Sequence, residues 1–288
     1  MTSEDPRPPR VLPGEDARLA EERIDGEQVF AGRLLDVRRD RVRLPDGSTA
    51  TREYIVHPGA VLVVPMLDAD TLVVERQFRY PGNRVFVEFP AGKLDAGETP
   101  LDTARRELRE EAGYEAASWT RLGQVHTVLS YSTEAIDLWL AEGLTHVGEA
   151  PDDGEFLEVL TMRYADLVAA ADAGSITDVK TIAALYHLER RRAARAPRAQ
   201  VLRIRGRVQG VGFRDAMSFV AREAGVVGWV RNRSDDTVEA FVQGRPEALE
   251  RIVAWARRGP SAARIDAVDV HDVPVEPGHE DFVRRPTR

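Results

Sequence analysis

Residues 92–114 read GKLDAGETPLDTARRELREEAGY, and this stretch carries the densest chemistry in the chain. It predicts a helix over 101–112, on which Glu107, Glu110 and Glu111 occupy positions i, i+3 and i+4. That spacing places three carboxylates on one helix face, with neighbouring Cβ atoms about 5–6 Å apart. Like charges repel, and the macrodipole disfavours anions late in a helix. The face is therefore either a metal site or an exposed acidic surface relieved by neighbouring arginines.

The composition restricts which metal such a site would hold. The chain has no Cys, and its six His show no metal-ligand spacing, which argues against a zinc site. Carboxylate oxygens are hard ligands that suit Mg²⁺ or Mn²⁺. A metal on the acidic face is therefore predicted to be one of these two ions.

The wider context resembles the Nudix box and favours the metal site. The fixed positions of that box are held by Gly92, Glu98, Arg106, Glu107, Glu110, Glu111 and Gly113, with Leu108 and Tyr114 at its bulky apolar positions. The resemblance covers most of residues 30–190 and implies a metal-dependent hydrolase of nucleoside diphosphates linked to another group. It implies Glu107 and Glu111 as the principal metal ligands, assisted by Glu110.

The residues around the start of the box narrow this resemblance. The segment VERQFRYPGNRVFVEFPAGKLDAGE, residues 74–98, is similar to the ADP-ribose and nucleotide-sugar pyrophosphatase branch of the family. By that resemblance, Arg76, Arg79 and Glu88 line the nucleotide side of the pocket. The carbonyl of Ala91 would reach the metal.

Two features leave the details of this first module open. ADP-ribose enzymes often carry a proline a short distance beyond the box, where this chain has Ser130. Both ADP-ribose and other nucleoside diphosphate sugars, such as GDP-mannose, are therefore candidate substrates. Glu155 aligns by context with the late glutamate of this branch, as a base or a metal ligand, or it belongs to a solvated acidic loop.

A second phosphate-binding pattern lies at GRVQGVGFR, residues 206–214. A glycine-rich turn between a strand and a helix aims backbone N–H groups at an anion, although plain turns share this composition. Arg214 adds a planar donor fork that suits phosphate. From about residue 200 the elements follow the order βαββαβ, the order of a ferredoxin-like sandwich.

This second module resembles acylphosphatase over residues 200–288. The resemblance rests on GRVQGVGFR, on GWVRN at residues 228–232, and on the segment near the C-terminus. It implies that Arg214 binds the phosphate of an acyl phosphate and that Asn232 positions the attacking water. Backbone amides complete the phosphate cradle, namely those of Gln209, Gly210, Val211, Gly212 and Phe213. The resemblance implies neither a metal nor another cofactor in this module.

The predicted architecture is α+β, with a Nudix α/β/α sandwich followed by a ferredoxin-like acylphosphatase sandwich. The predicted boundaries are a flexible tail at 1–20, a Nudix domain at 21–190, an Arg/Pro linker at 191–198 and an acylphosphatase-like domain at 199–288. A chain of 288 residues has the length for two such domains.

The overall composition excludes several other classes of protein. The chain is 43% hydrophobic and 31% charged, with a formal net charge of −8, which argues against a dedicated nucleic-acid binder. No apolar run approaches the roughly 20 residues of a membrane-spanning helix, and the N-terminus has no signal peptide pattern. We therefore expect a cytoplasmic protein, no membrane or nucleic-acid partner, and small phosphoanhydride substrates.

These observations predict a bifunctional hydrolase. The Nudix module would cleave the pyrophosphate of a nucleoside diphosphate sugar, and the C-terminal module would hydrolyse acyl phosphates. The alternative is that only one module is catalytic and the other is a ligand-sensing or interaction domain, since fold does not determine function. A homodimer formed through the Nudix domain is a further prediction.

Overall fold

A computed structural model describes residues 18–148 and 156–288. The chain divides into two compact units, one ending at Leu188 and the other spanning Glu189–Arg288. The division falls inside the helix Val179–Arg195, so most of the segment 191–198, which we expected to be a linker, is helical. Alanine and arginine favour helix, and Pro197 lies two residues beyond the end of the helix at Arg195.

The first unit opens with a three-stranded antiparallel sheet. Its strands are β1 (Glu22–Ala31), β2 (Asp36–Arg43) and β3 (Thr49–Val56), in that spatial order. Every residue of β1 is exposed, so the strand has no alternation of buried and exposed positions. The sequence pattern for that reason indicated strands only from Leu35 onward.

A seven-stranded sheet forms the centre of the first unit within the described residues. Its strands are β4 (Ala60–Met66), β5 (Thr71–Arg79), β6 (Arg84–Glu88), β7 (Ala91–Lys93), β8 (Tyr114–His126), β9 (Ala135–His146) and β10 (Leu157–Arg163). The main path runs β10-β5-β4-β9-β8, with β6 paired to β5 and β7 paired to β4. Strands β4 and β9 are parallel, whereas the other pairs are antiparallel.

Helices cover both faces of this sheet, as predicted for an α/β/α sandwich. They are α1 (Pro100–Glu110), α2 (Tyr164–Asp172) and α3 (Val179–Arg195). Val61 and Val63 pack with Leu108 of α1 on one face. Leu62 and Val64 pack against α2 and α3 on the other. Side chains alternate between the two faces along a strand, and helices cover both faces of β4. The strand is therefore buried at every position, and all of its residues are apolar.

Local signals fix the ends of α1. The Thr99 hydroxyl accepts a hydrogen bond from the backbone N–H of Asp102, and Pro100 occupies the first turn, where its missing N–H costs nothing. Beyond the helix, Gly113 adopts a positive φ of 72°, which favours glycine. The helix begins one residue earlier and ends two residues earlier than the predicted 101–112.

The second unit is the predicted ferredoxin-like sandwich. Its elements are β11 (Arg198–Arg207), α4 (Phe213–Glu223), β12 (Val227–Asn232), β13 (Val238–Gly244), α5 (Pro246–Ala256), β14 (Arg264–Val273) and β15 (Phe282–Arg284). The sheet order is β14-β11-β13-β12-β15, with the last pair parallel. Leu202, Ile204, Met217, Val230 and Ile252 belong to its core. In the described part of the chain, no helix has the length and apolarity to cross a membrane.

Gly228 marks a point of close backbone approach in the second sheet. Its φ is 134°, and a Cβ added there would lie 2.1 Å from the carbonyl oxygen of Phe241. This oxygen belongs to the neighbouring strand β13 and cannot move away without disturbing the pairing. Glycine is therefore required at this position by both backbone conformation and space.

We expect Gly228→Ala to destabilise the second unit by about 2 kcal/mol or more, because the new methyl group displaces a paired strand. Gly244→Ala is the matched control, since its Cβ would meet neighbours only at 3.5 Å and beyond. Hydrogen exchange of the β12 and β13 amides in the full chain measures the difference. Equal protection in both variants would contradict the close approach.

Candidate active sites

A cleft of about 610 Å³ lies where β4 and β9 begin and β5 ends. Acidic and basic side chains meet there in equal number among the described residues. The acidic ones are Asp95, Glu107, Glu110, Glu111 and Glu134, and the basic ones are Arg33, Arg79, Lys93, Arg106 and Lys180. The cleft thus brings the three predicted box glutamates together with cations from distant parts of the first unit.

Two of the box glutamates are buried against the strand β7. Glu107 is 8% exposed and Glu111 is 4% exposed. The backbone N–H of Ala91 donates to Glu111 Oε2 at 2.9 Å. A Cβ at Gly92 would lie 1.7 Å from Glu107 Oε1, so only glycine allows this carboxylate to occupy its position. The loop before α1 therefore shapes the space around the carboxylates.

Arg106 links the glutamates of the box to one another. Its guanidinium donates to Glu98 at 3.1 Å, to Glu107 at 2.9 Å and to Glu110 at 3.0 Å. The hydrogen bonds from Arg106, and then from the Thr103 hydroxyl, lower the pKa of Glu98 to about 2. Arg106 thus holds the loop and the helix in one network and orients the carboxylates.

The donor set fits Mg²⁺ or Mn²⁺ in chemical kind, because Glu107, Glu110 and Glu111 offer hard carboxylate oxygens on the wall of one cleft. Within residues 18–148 and 156–288, however, no three acidic or imidazole groups are arranged to hold an ion. Arg106 already contacts Glu107 and Glu110, and the Ala91 amide contacts Glu111. Cation binding would require Glu107 and Glu110 to exchange their Arg106 contacts for the metal.

The three residues predicted to line the nucleotide side of the pocket, Arg76, Arg79 and Glu88, lie in different surroundings. Arg79 lines the cleft. Glu88 lies behind it, with its side chain 3% exposed, and forms a bidentate pair with Arg79 at 2.8 and 2.9 Å. Burial opposes ionisation of Glu88, but hydrogen bonds and charges from Arg79 and Lys180 lower its pKa overall. Arg76 is not among the lining residues and pairs with the exposed Glu158.

Strand geometry explains why Arg76 and Arg79 separate. Side chains three positions apart on a strand point to opposite faces of the sheet. Gln77 and Arg79, two positions apart, both line the cleft. Glu155, the predicted late glutamate, lies outside the described residues.

Sequence reasoning missed several polar residues of the cleft, among them His57, Glu134 and Lys180. The His57 Nε2 lies 3.6 Å from Glu134 Oε1, and its Nδ1 accepts a hydrogen bond from the Gly59 N–H. Lys180 pairs with Glu88 and with Asp178. A compositional signal could have identified Lys180, because the chain contains only two lysines, Lys93 and Lys180.

The second candidate site surrounds the turn between β11 and α4. Gly210 and Gly212 adopt positive φ angles of 70° and 75°, and Gly212 is the N-cap of α4. In the described chain, no backbone carbonyl accepts from the amides of residues 209–212, which are therefore available to an anion. Arg214 follows in the first turn of the helix, while its neighbour Asp215 pairs with Arg284.

Asn232 occupies the C-terminal end of β12. Its Oδ1 is buried and has no hydrogen-bond partner among the described residues. The Gln209 side chain ties the glycine-rich turn to the hairpin after Asn232, donating to the carbonyls of Arg233 at 2.8 Å and Thr237 at 3.0 Å. A buried amide oxygen without a partner is costly unless a ligand or water satisfies it.

Three protein families match consecutive parts of the chain. The nucleoside diphosphate sugar hydrolase N-terminal domain matches residues 21–55, and the NUDIX domain matches residues 56–185. Acylphosphatase matches residues 200–284. The first two matches meet where the three-stranded sheet gives way to the seven-stranded sheet.

Known proteins resemble each unit separately. An ADP-ribose pyrophosphatase of Bacillus subtilis (strain 168) is 37% identical over 180 residues, which are 62% of this chain and 97% of that protein. An acylphosphatase of Thermococcus kodakarensis is 58% identical over 69 residues, 24% of this chain and 76% of that protein. The crystal structure of an ADP compounds hydrolase, 23% identical, covers 61% of this chain and 96% of its own with a TM-score of 0.56, which supports the fold.

Both families consist of hydrolases that act on acid anhydrides. The NUDIX match and the ADP-ribose pyrophosphatase relative correspond to the part of the chain that contains the first cleft. The acylphosphatase match and relative correspond to the part that contains the glycine-rich turn. The chain therefore belongs to the Nudix family in its first unit and to the acylphosphatase family in its second.

Proposed function

We propose that the first unit hydrolyses the pyrophosphate of a nucleoside diphosphate sugar of the ADP-ribose or GDP-mannose type and requires Mg²⁺ or Mn²⁺. The observation that carries this proposal is the pair of buried carboxylates, Glu107 and Glu111, on the wall of a cleft that also contains Arg79 and Lys180. Buried carboxylates are stabilised by a cation, and a divalent cation placed between these carboxylates and a polyphosphate would neutralise charge on both. The similarity to an ADP-ribose pyrophosphatase supports the substrate class.

The residues of the cleft would divide the work between them. Glu107, Glu110, Glu111 and the carbonyl of Ala91 would hold the divalent cation, which would neutralise phosphate oxygens and acidify a bound water. Arg79, held by Glu88, would bind a phosphate group, and Arg106 would orient the glutamates. Glu155 would act as the base or as a further ligand.

We infer that the second unit hydrolyses acyl phosphates to a carboxylate and inorganic phosphate without a metal or other cofactor. The buried Asn232 Oδ1 carries this inference, because a water in that position would satisfy it. Arg214 and the amides of residues 209–213 would hold the phosphoryl oxygens. The oxygen of the water then bonds to phosphorus, the bond from phosphorus to the acyl oxygen breaks, and the carboxylate leaves.

We also propose that the protein forms a homodimer through the three-stranded sheet of its first unit. This sheet and its β1–β2 turn expose several large apolar side chains, namely those of Ile24, Val29, Phe30, Leu34 and Leu35. Monomers rarely expose such a concentration of apolar surface, which is typical of an interface.

The net negative charge of the chain remains the basis for predicting that nucleic acid is not among its partners.

For the metal site, Glu111→Gln should lower kcat for ADP-ribose and GDP-mannose by about 100-fold or more at saturating MgCl₂. The fold should be retained, because glutamine keeps an oxygen that accepts from the Ala91 amide. Glu115→Gln is the control, since Glu115 is exposed on β8 and pairs with Arg109. Turnover of the Glu111 variant near the wild-type rate would show that this carboxylate holds no essential metal.

EDTA should separate the two activities in the wild-type chain. Chelation should abolish hydrolysis of the nucleoside diphosphate sugar and leave hydrolysis of benzoyl phosphate nearly unchanged, because only the first site lacks sufficient fixed positive charge of its own. Arg214→Ala should have the opposite effect, lowering benzoyl phosphate hydrolysis by about 100-fold. The assignment would be contradicted if EDTA inhibited hydrolysis of benzoyl phosphate, or if Arg214→Ala left that hydrolysis unchanged.

For the dimer, Phe30→Glu should shift the chain toward the monomer in sedimentation velocity across a range of protein concentrations. The new charge would be desolvated in the interface, which is unfavourable. Val275→Glu is the control, because Val275 is similarly exposed but lies in the second unit. A wild-type chain that is monomeric at all concentrations would refute the proposed interface.

A further inference from the structure

The two lysines of the chain share one location. Among the 40 basic residues, 38 are arginine, and both Lys93 and Lys180 line the cleft of the first unit. Five basic side chains of the described chain line that cleft, so two lysines distributed at random over the basic positions would both fall there in about one case in eighty. The distribution points to a requirement for an ammonium group in this cleft.

Lys180 has the more restricted surroundings of the two. It lies in the first turn of α3, and its side chain is 15% exposed. The Nζ donates to Glu88 Oε2, and it lies 3.0 Å from Asp178 Oδ2. An ammonium has three N–H donors. Two carboxylates therefore leave one donor of Lys180 for the cleft that it lines.

The carboxylate partners of Lys180 fix its position more firmly than solvent would. Glu88 is held on its other side by the fork of Arg79, so one buried carboxylate positions two cations at the cleft. A planar guanidinium has a rigid, wider donor arrangement and does not replace a compact ammonium between two carboxylates. The geometry thus presents a single N–H, with little freedom, to whatever occupies the cleft.

We propose that Lys180 binds a phosphate oxygen of the substrate's diphosphate, on the side of the cleft formed by α3, and that Glu88 and Asp178 position it for this contact. The proposal rests on the proposed function of the first unit. It assigns Glu88 a positioning role in place of the direct nucleotide contact predicted from the sequence. It also explains why a buried carboxylate is retained next to an anion-binding cleft.

The test compares Lys180→Met with Arg163→Met, which removes an exposed ion-paired cation away from the cleft. Binding of ADP without divalent metal is measured by calorimetry in the Arg214→Ala background, so that the second unit does not contribute its phosphate cradle. The dissociation constant should rise by about 10- to 100-fold in the Lys180 variant, the range expected for a lost charged hydrogen bond, and stay unchanged in the control. In turnover with ADP-ribose and Mg²⁺, KM should rise more than kcat falls.

A purely structural role of Lys180 predicts a different result. The Lys180 variant would then lose thermal stability but bind ADP as the wild type does, and this outcome would overturn the proposal. If Lys180→Met fails to fold, Lys180→Gln is tested in the same way, because it keeps an N–H donor for Glu88, removes the charge and leaves Glu88 to hold Arg79. If the wild type binds ADP but hydrolyses no nucleoside diphosphate sugar, the proposed function is refuted. The role of Lys180 in phosphate binding is still decided by the comparison of ADP affinities.

Discussion

The guanidinium of Arg106 contacts Glu98, Glu107 and Glu110, and the arrangement of the first cleft depends on this network. Without a countercharge, the carboxylates on one face of α1 would repel one another. The pKa of Glu98 is lowered to about 2, so its stabilising contribution is present above the ordinary carboxyl pKa and is lost only as the pH falls toward 2. The loop before α1 therefore stays attached to the helix at neutral pH, which keeps Gly92 against Glu107.

The central sheet delivers opposite charges to one cleft from its two faces. The glutamates come from α1, which packs on the face of Val61 and Val63, whereas Lys180 comes from α3, which packs on the opposite face. In the proposed reaction, Lys180 would meet the phosphate oxygens directly and the glutamates would meet them through a metal, and the end of the sheet is where the two helices bring these groups together.

Local patterns were sufficient to predict some features and not others. Glu107, Glu110 and Glu111 share a face because of helix periodicity alone, and the glycine-rich turn before Arg214 is equally local. The strand β1 has no buried face, so no alternation could reveal it. Glu88 looks like an exposed strand carboxylate in the sequence, yet it is buried because Arg79 and Lys180 reach it. Lys180 is about ninety residues from Glu88, and only tertiary packing brings such partners together.

The two units address related phosphate chemistry with different kinds of charge. In the first, side-chain anions and cations balance across the cleft, so the proposed hydrolysis of a phosphoanhydride, as distinct from its binding, would need a divalent cation to shift the balance. In the second, backbone amides at the N-terminus of α4 provide partial positive charge that is fixed by the fold and needs no counterion. Gln209 connects this turn to the hairpin that follows Asn232, so hydrogen bonds link the two halves of the proposed cradle. A site built from backbone dipoles is thereby organised before its ligand arrives, whereas a site built from paired side chains must exchange partners to bind.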